Sequence, residues 1–151
     1  MIRIPMIVTA LLLAQAANAA GDGGAHPHHI SVATGIARFD GKSSAFLGID
    51  YTYRFNDPWA IGLFLEEVSG DFDLRAWGVS VGRYFDSGWK VGAGIGAEYK
   101  FKSDKTLGLI HVTAGYDWHI GNWSVGPVAT VDFIEGGDQT YYLGAALGYG
   151  F

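Results

Sequence analysis

The sequence contains no cysteine, so neither a disulfide framework nor a thiolate metal site can be built from it. Charge is scarce as well: Asp, Glu, Lys and Arg make up 17% of the 151 residues, and the formal balance is −5. An acidic chain without a Lys/Arg cluster has no footprint for tracking phosphates, which excludes a nucleic-acid partner. Beyond the N-terminus there is no long apolar run. Glycine and charged residues interrupt every candidate before the roughly 20 residues that a helical membrane span needs. What the chain does have is 23 glycines and 15% aromatic residues. Glycine weakens helices and aromatics favour strands, so this composition points to one all-β domain.

Residues 1–19 read as a signal peptide. Arg3 gives a short positive segment, Ile4 to Ala14 an apolar one too short to span, and Ala17-Asn18-Ala19 an A-x-A cleavage site. Sec-type export with cleavage near Ala19 is therefore expected. Residues 20–28 then form a flexible mature N-terminus, and residues 29–151 form a single β-domain.

From His29 onward the dominant period is two. Between residues 89 and 100, Trp89, Val91, Ala93, Ile95, Ala97 and Tyr99 alternate with Lys90, Gly92, Gly94, Gly96, Glu98 and Lys100. A strand sends alternate side chains to opposite faces, so the two faces of this segment meet very different surroundings. Asn56-Asp57-Pro58, Asp86-Ser87-Gly88 and Gly121-Asn122 are tight turns by residue type. Polar or glycine-bearing breaks follow Phe39, Val68, Lys102 and Glu135. Seven breaks predict eight strands, near 29–39, 44–55, 59–68, 74–85, 89–100, 106–119, 123–134 and 139–151. Most are 10 to 13 residues long by this division, close to the roughly 9–11 that a tilted strand needs to cross a bilayer.

Face assignment decides the class. The second face is glycine, small residues and isolated charges. It has too little apolar bulk for a core and too little charge for a good aqueous exterior. Turned inward, it suits an eight-stranded barrel whose lumen is just wide enough to be filled by side chains. The bulky apolar face then looks outward to lipid, as in transmembrane barrels. The aromatic residues agree in level and in face. Phe55, Trp59, Phe85, Trp89, Trp118 and Trp123 flank the three tight turns as one ring. Trp77, Tyr99, Phe133 and Tyr141 form a looser ring near the opposite strand ends. Two aromatic girdles around an apolar band are a membrane-interface pattern. The expected fold is an eight-stranded antiparallel up-and-down transmembrane β-barrel.

The alternation, the short turns and the ending Leu147-Gly148-Tyr149-Gly150-Phe151 resemble the small OmpA/OmpX-type outer-membrane barrels. That resemblance covers His29 to Phe151 and implies residence in a bacterial outer membrane. It implies contact with outer-membrane lipid and lipopolysaccharide. It also implies barrel-assembly machinery that reads Leu147, Tyr149 and Phe151. By the same likeness the tight turns are periplasmic and the other connections extracellular. Those outer connections are short, unlike the long loops of adhesins, invasins and phage receptors. A monomer is expected.

Parity places Asp50, Arg54, Glu66, Lys90, Glu98, Lys100, His111, Asp117, His119 and Asp132 in the lumen. Enclosed charges should pair, because a buried unpaired charge is costly. An internal ion-pair network is the leading expectation. A His111 site oriented by Glu98 or Asp132 is the catalytic alternative, in an enzyme that modifies lipid A in the outer leaflet. His26, His28 and His29 could hold a transition metal at the N-terminus. Arg38 and Arg75 lie toward the outer rim, within reach of lipopolysaccharide phosphates, and Arg83 lies near the other rim. Gly92-x-Gly94-x-Gly96 lies within a strand, so it is no nucleotide loop, and no cofactor is expected. The functional expectation is a non-enzymatic barrel with a role in envelope structure or small-solute interaction.

Overall fold

The computed structural model describes residues 26–151, so the segment read as a signal peptide lies outside the described residues. Strands β1 (His28–Phe39), β2 (Lys42–Asn56), β3 (Trp59–Ser69), β4 (Leu74–Tyr84) and β5 (Trp89–Lys100) follow one another as antiparallel neighbours. Next come β6 (Lys105–Tyr116), β7 (Trp118–Ile120), β8 (Trp123–Ile134) and β9 (Gln139–Gly150). β9 pairs with β1 along nearly its whole length and closes the sheet. β6 and β7 both pair with β8 in one continuous register, with Gly115 opposite Val128 and Trp118 opposite Val125. They are two parts of one barrel strand, interrupted at Asp117, whose amide donates to the Gly88 carbonyl of the neighbouring turn at 2.9 Å. The barrel therefore has eight strands, as the turn count predicts. β1 begins one residue before the expected His29, anchored where the Arg54 amide donates to the Pro27 carbonyl.

Turn chemistry sets the two ends. At the turn end, Asp57-Pro58, residues 85–88 and Gly121-Asn122 join the strands, and both ends of the described chain lie here too. Gly121 (φ 62°) and Gly88 (φ 95°) take the left-handed backbone that such tight connections require. At the loop end the connections are residues 40–41, 70–73, 101–104 and 135–138.

Alternation turns the bulky apolar side chains outward. Ile36, Leu63, Ile95, Ile110, Leu143 and many like them are exposed around the middle of the barrel. The inner face corrects one expectation, because it does hold apolar bulk. Phe46, Val68, Phe72, Leu74 and Tyr142 form one buried cluster, and Phe64, Leu109 and Ile134 form another, with Phe39 packed against both. The glycines explain how these rings fit: Phe46 lies beside Gly48 and Gly144, and Phe64 beside Gly78. A residue without a side chain on one strand gives its volume to a ring from another. These two clusters put apolar bulk into the loop-end half of the lumen.

Candidate functional site

The interior polar groups fall into two layers. The lower layer, toward the turn end, is well paired. Lys90 donates to Asp117 Oδ1 at 2.9 Å, the Arg54 guanidinium lies 4.4 Å from the Tyr84 ring centre, and Tyr84 OH meets Thr52 Oγ1 at 3.2 Å. His29 Nε2 lies 3.0 Å from Ser124 Oγ. Above these groups is a cavity of about 70 Å³, lined among others by His29, Asp50, Tyr84, Lys90 and His111.

The upper layer sits between that cavity and the apolar packing. His111 and Asp132 are direct cross-strand partners on β6 and β8. His111 Nδ1 lies 2.8 Å from Asp132 Oδ1, and the two residues are 3% and 0% exposed. The imidazole stacks on Phe64, with ring centres 4.0 Å apart and planes 14° apart, which fixes its orientation. Glu66 on β3 and Glu98 on β5 are both cross-strand partners of Ala76 on β4, whose small side chain leaves room for them. Glu98 is fully buried, and its nearest cation is Lys100, whose Nζ is 3.7 Å from Oε1. Lys100 also reaches the exposed Asp138 at 3.1 Å and lies over the Phe39 ring.

One chemical fact distinguishes this layer. Among the described residues, the buried side-chain polar atoms without a hydrogen-bond partner are Glu66 Oε2, both Glu98 oxygens, Asp132 Oδ2, Thr140 Oγ1 and Tyr142 OH. All belong here, since Thr140 is the cross-strand partner of Asp132 and Tyr142 adjoins Glu66. Buried polar groups are ordinarily satisfied, so these six atoms need water, a shared proton or a bound ion to complete their hydrogen bonding. Parity identified Glu66, Glu98, His111 and Asp132 in the sequence. It did not single out Thr140, Tyr142 or Phe64. Their inward positions were readable, but their part in the layer depends on which strands face each other across the lumen.

The remaining sequence candidates lie partly in the lumen and partly on the surface. Asp50 faces His111 and Lys90 inside the barrel. His119 keeps the inward register opposite Ser124 but stands exposed at the rim, outside the internal pairing. His28 and His29 point to opposite faces of β1. His28 stacks on Phe151 at 5.4 Å and approaches Tyr51 OH, while His29 turns into the lumen, so with His26 they do not converge as a ligand set. Phe55, Trp59, Phe85, Trp89, Trp118 and Trp123 all stand outward at the turn end, and Arg83 lies over the Trp59 and Phe85 rings. Arg75 is held by Glu67 at 2.6 Å, and Arg38 is exposed. Leu147 faces outward, and Phe151 exchanges backbone hydrogen bonds with His28.

No protein-family model matches this sequence, and no curated protein does. Solved structures do. Neisserial surface protein A superposes with a TM-score of 0.65 at 18% identity, covering 85% of this chain and 100% of that one. The N-terminal β-barrel domain of OprF from Pseudomonas aeruginosa gives a TM-score of 0.58 at 13% identity, covering 83% of this chain and 100% of that one. The fold is that of the small eight-stranded outer-membrane β-barrels. The outer membrane protein OprG from Pseudomonas aeruginosa agrees, with a TM-score of 0.55 at 14% identity over 85% of this chain and 99% of that one. At such identities the likeness is one of architecture, and the lumen chemistry must be argued from this chain alone.

Proposed function

We propose that this protein is an integral barrel of the bacterial outer membrane, with a closed lumen and a structural or small-solute role in the envelope. The observation that carries the reading is the outward band. Residues such as Leu63, Val79, Ile95, Ile110 and Leu143 are all more than half exposed and lie on neighbouring or nearby strands. Soluble monomers rarely expose contiguous apolar patches beyond a few hundred Å². A bilayer removes that cost, and closure leaves no unpaired sheet edge in the hydrocarbon. The tryptophans at the turn end then sit at the headgroup level, and Arg83 stacked among them can snorkel to phosphates.

Under this reading the tight turns face the periplasm and the four other connections the outside. A catalytic role toward lipid A draws no support from the geometry of its proposed residues. His111, Glu98 and Asp132 are buried inside the barrel, while a lipid substrate would approach from outside. The test is solubility and migration. The mature protein should fractionate with outer membranes, require detergent and shift on a gel when heated. If it stays folded and monodisperse in plain buffer, the proposed membrane orientation is wrong.

A further inference from the structure

We propose that the upper lumen layer is a divalent-cation site, with His111, Asp132 and Glu66 as ligands for a first-row transition metal such as zinc. One potential ligand atom from each of these three residues lies within 4.8 Å of the other two, and all three residues are buried. Proximity alone would not carry a site. The independent observation is that Glu66 Oε2 and Asp132 Oδ2 have no hydrogen-bond partner, on side chains more than nine-tenths buried. Tyr142 OH and the two Glu98 oxygens, which also make no hydrogen bond, adjoin the same layer, with Glu98 Oε1 ion-paired to Lys100. They can serve as a further ligand or as hydrogen-bond acceptors around the ion.

Charge balance points the same way. Five carboxylates, Asp50, Glu66, Glu98, Asp117 and Asp132, share the lumen with the cations Arg54, Lys90 and Lys100. Asp117 is paired with Lys90 and Arg54 lies over the Tyr84 ring, while Asp50 sits beside His111 and Glu66. Over the whole lumen these five carboxylates exceed the three cations by two when His111 is neutral, and Lys100, beside Glu98, is shared with the exposed Asp138. Metal binding requires a neutral imidazole and ionised carboxylates, and a single divalent ion cancels the deficit. The donor set, one imidazole nitrogen with carboxylate oxygens and no thiolate, suits zinc, iron or manganese better than copper(I). Zinc ligands about 2.1 Å from the ion lie about 3.4 Å apart in a tetrahedron, so small side-chain rotations would close the triad. The Phe64 stack already holds the imidazole plane, and the cavity beneath His111 leaves space beside the triad.

Chelator-stripped mature protein, folded in detergent and dialysed against zinc, should retain a single zinc ion per barrel by elemental analysis. X-ray absorption should show one imidazole in an otherwise oxygen shell. Asp132→Asn and Glu66→Gln, close in shape to the native residues, should each weaken binding by at least about tenfold. Replacing His26, His28 and His29 together by Ala should leave it intact. A heat-modifiability gel confirms which variants are folded. Failure of the wild-type barrel to retain zinc, or manganese in a parallel dialysis, overturns the site and leaves protons as the balancing charge. Two or more imidazoles around the zinc, or loss of binding in the triple His variant, also overturns it. The wild-type zinc count and spectrum decide the matter even if Asp132→Asn fails to fold.

Discussion

Gly78 lies where a single added carbon would run into both the Phe64 ring and the β5 backbone at Ile95. Phe64 in turn is the face on which His111 is stacked, so an absent side chain on β4 sets the position of an imidazole on β6. Gly78→Val should therefore destabilise the barrel by about 1–3 kcal/mol, the usual range for overpacking, as measured by denaturant unfolding in micelles. If the layer is a metal site, the same change should lower its affinity. No stability change would mean that Phe64 has another place to go. Lys90 offers a second test at this scale. Its ammonium meets the buried Asp117 carboxylate, and removing one partner of such a pair strands the other charge. Lys90→Ala should cost about 3 kcal/mol, while the Lys90→Met/Asp117→Leu double variant should recover much of the loss. A double variant no more stable than Lys90→Ala would show that packing, not the stranded carboxylate, sets the penalty.

At the scale of the element, β5 shows what the chain makes legible. Its strict alternation of Trp, Val, Ala, Ile, Ala and Tyr with glycine and charge fixes both the strand and its two faces, and the structure keeps that pattern throughout. The six-aromatic ring at the turn end could be located for the same reason, since short turns fix strand ends tightly. β6 was harder. Asp117 keeps its inward parity but leaves the ladder for Gly88, a contact with a turn far away in sequence that no local pattern announces. Ile95, on the outward face of β5 and 65% exposed, tests the meaning of that face. Ile95→Arg should cost about 2–4 kcal/mol when the barrel is folded in lipid vesicles, because the charge would lie near the bilayer midplane. Arg in place of Phe85, at the rim, should cost about 1 kcal/mol or less. Equal, negligible costs would fit a barrel standing in water.

At the scale of the whole molecule, closure and filling answer different questions. Closure follows from β1 pairing with β9, and the even spacing of strands along the sequence foreshadows it. Filling does not follow from spacing, because it depends on which residues meet across the lumen. Phe46, Phe64 and Tyr142 each sit on a face that looks small and polar along its own strand. Phe46 and Phe64 fit because glycines on other strands stand opposite them, and Tyr142 packs edge-on against Phe46. Phe72 adds to this from a loop: it comes from residues 70–73 and packs with Phe39 at the mouth, 5.8 Å between ring centres. An ion crossing the barrel would have to pass that apolar cap, then the buried Glu98 and Asp132, then the Lys90–Asp117 pair. Three successive obstructions in an eight-stranded lumen leave no continuous aqueous path. The folded protein in a planar bilayer should therefore show no steady stepwise conductance. Phe72→Ala should stay silent too, because removing the cap leaves the two lower obstructions in place. A persistent open level in the wild type would mean that the packed lumen gives way in the membrane. An open level in Phe72→Ala alone would instead identify the mouth as the single barrier.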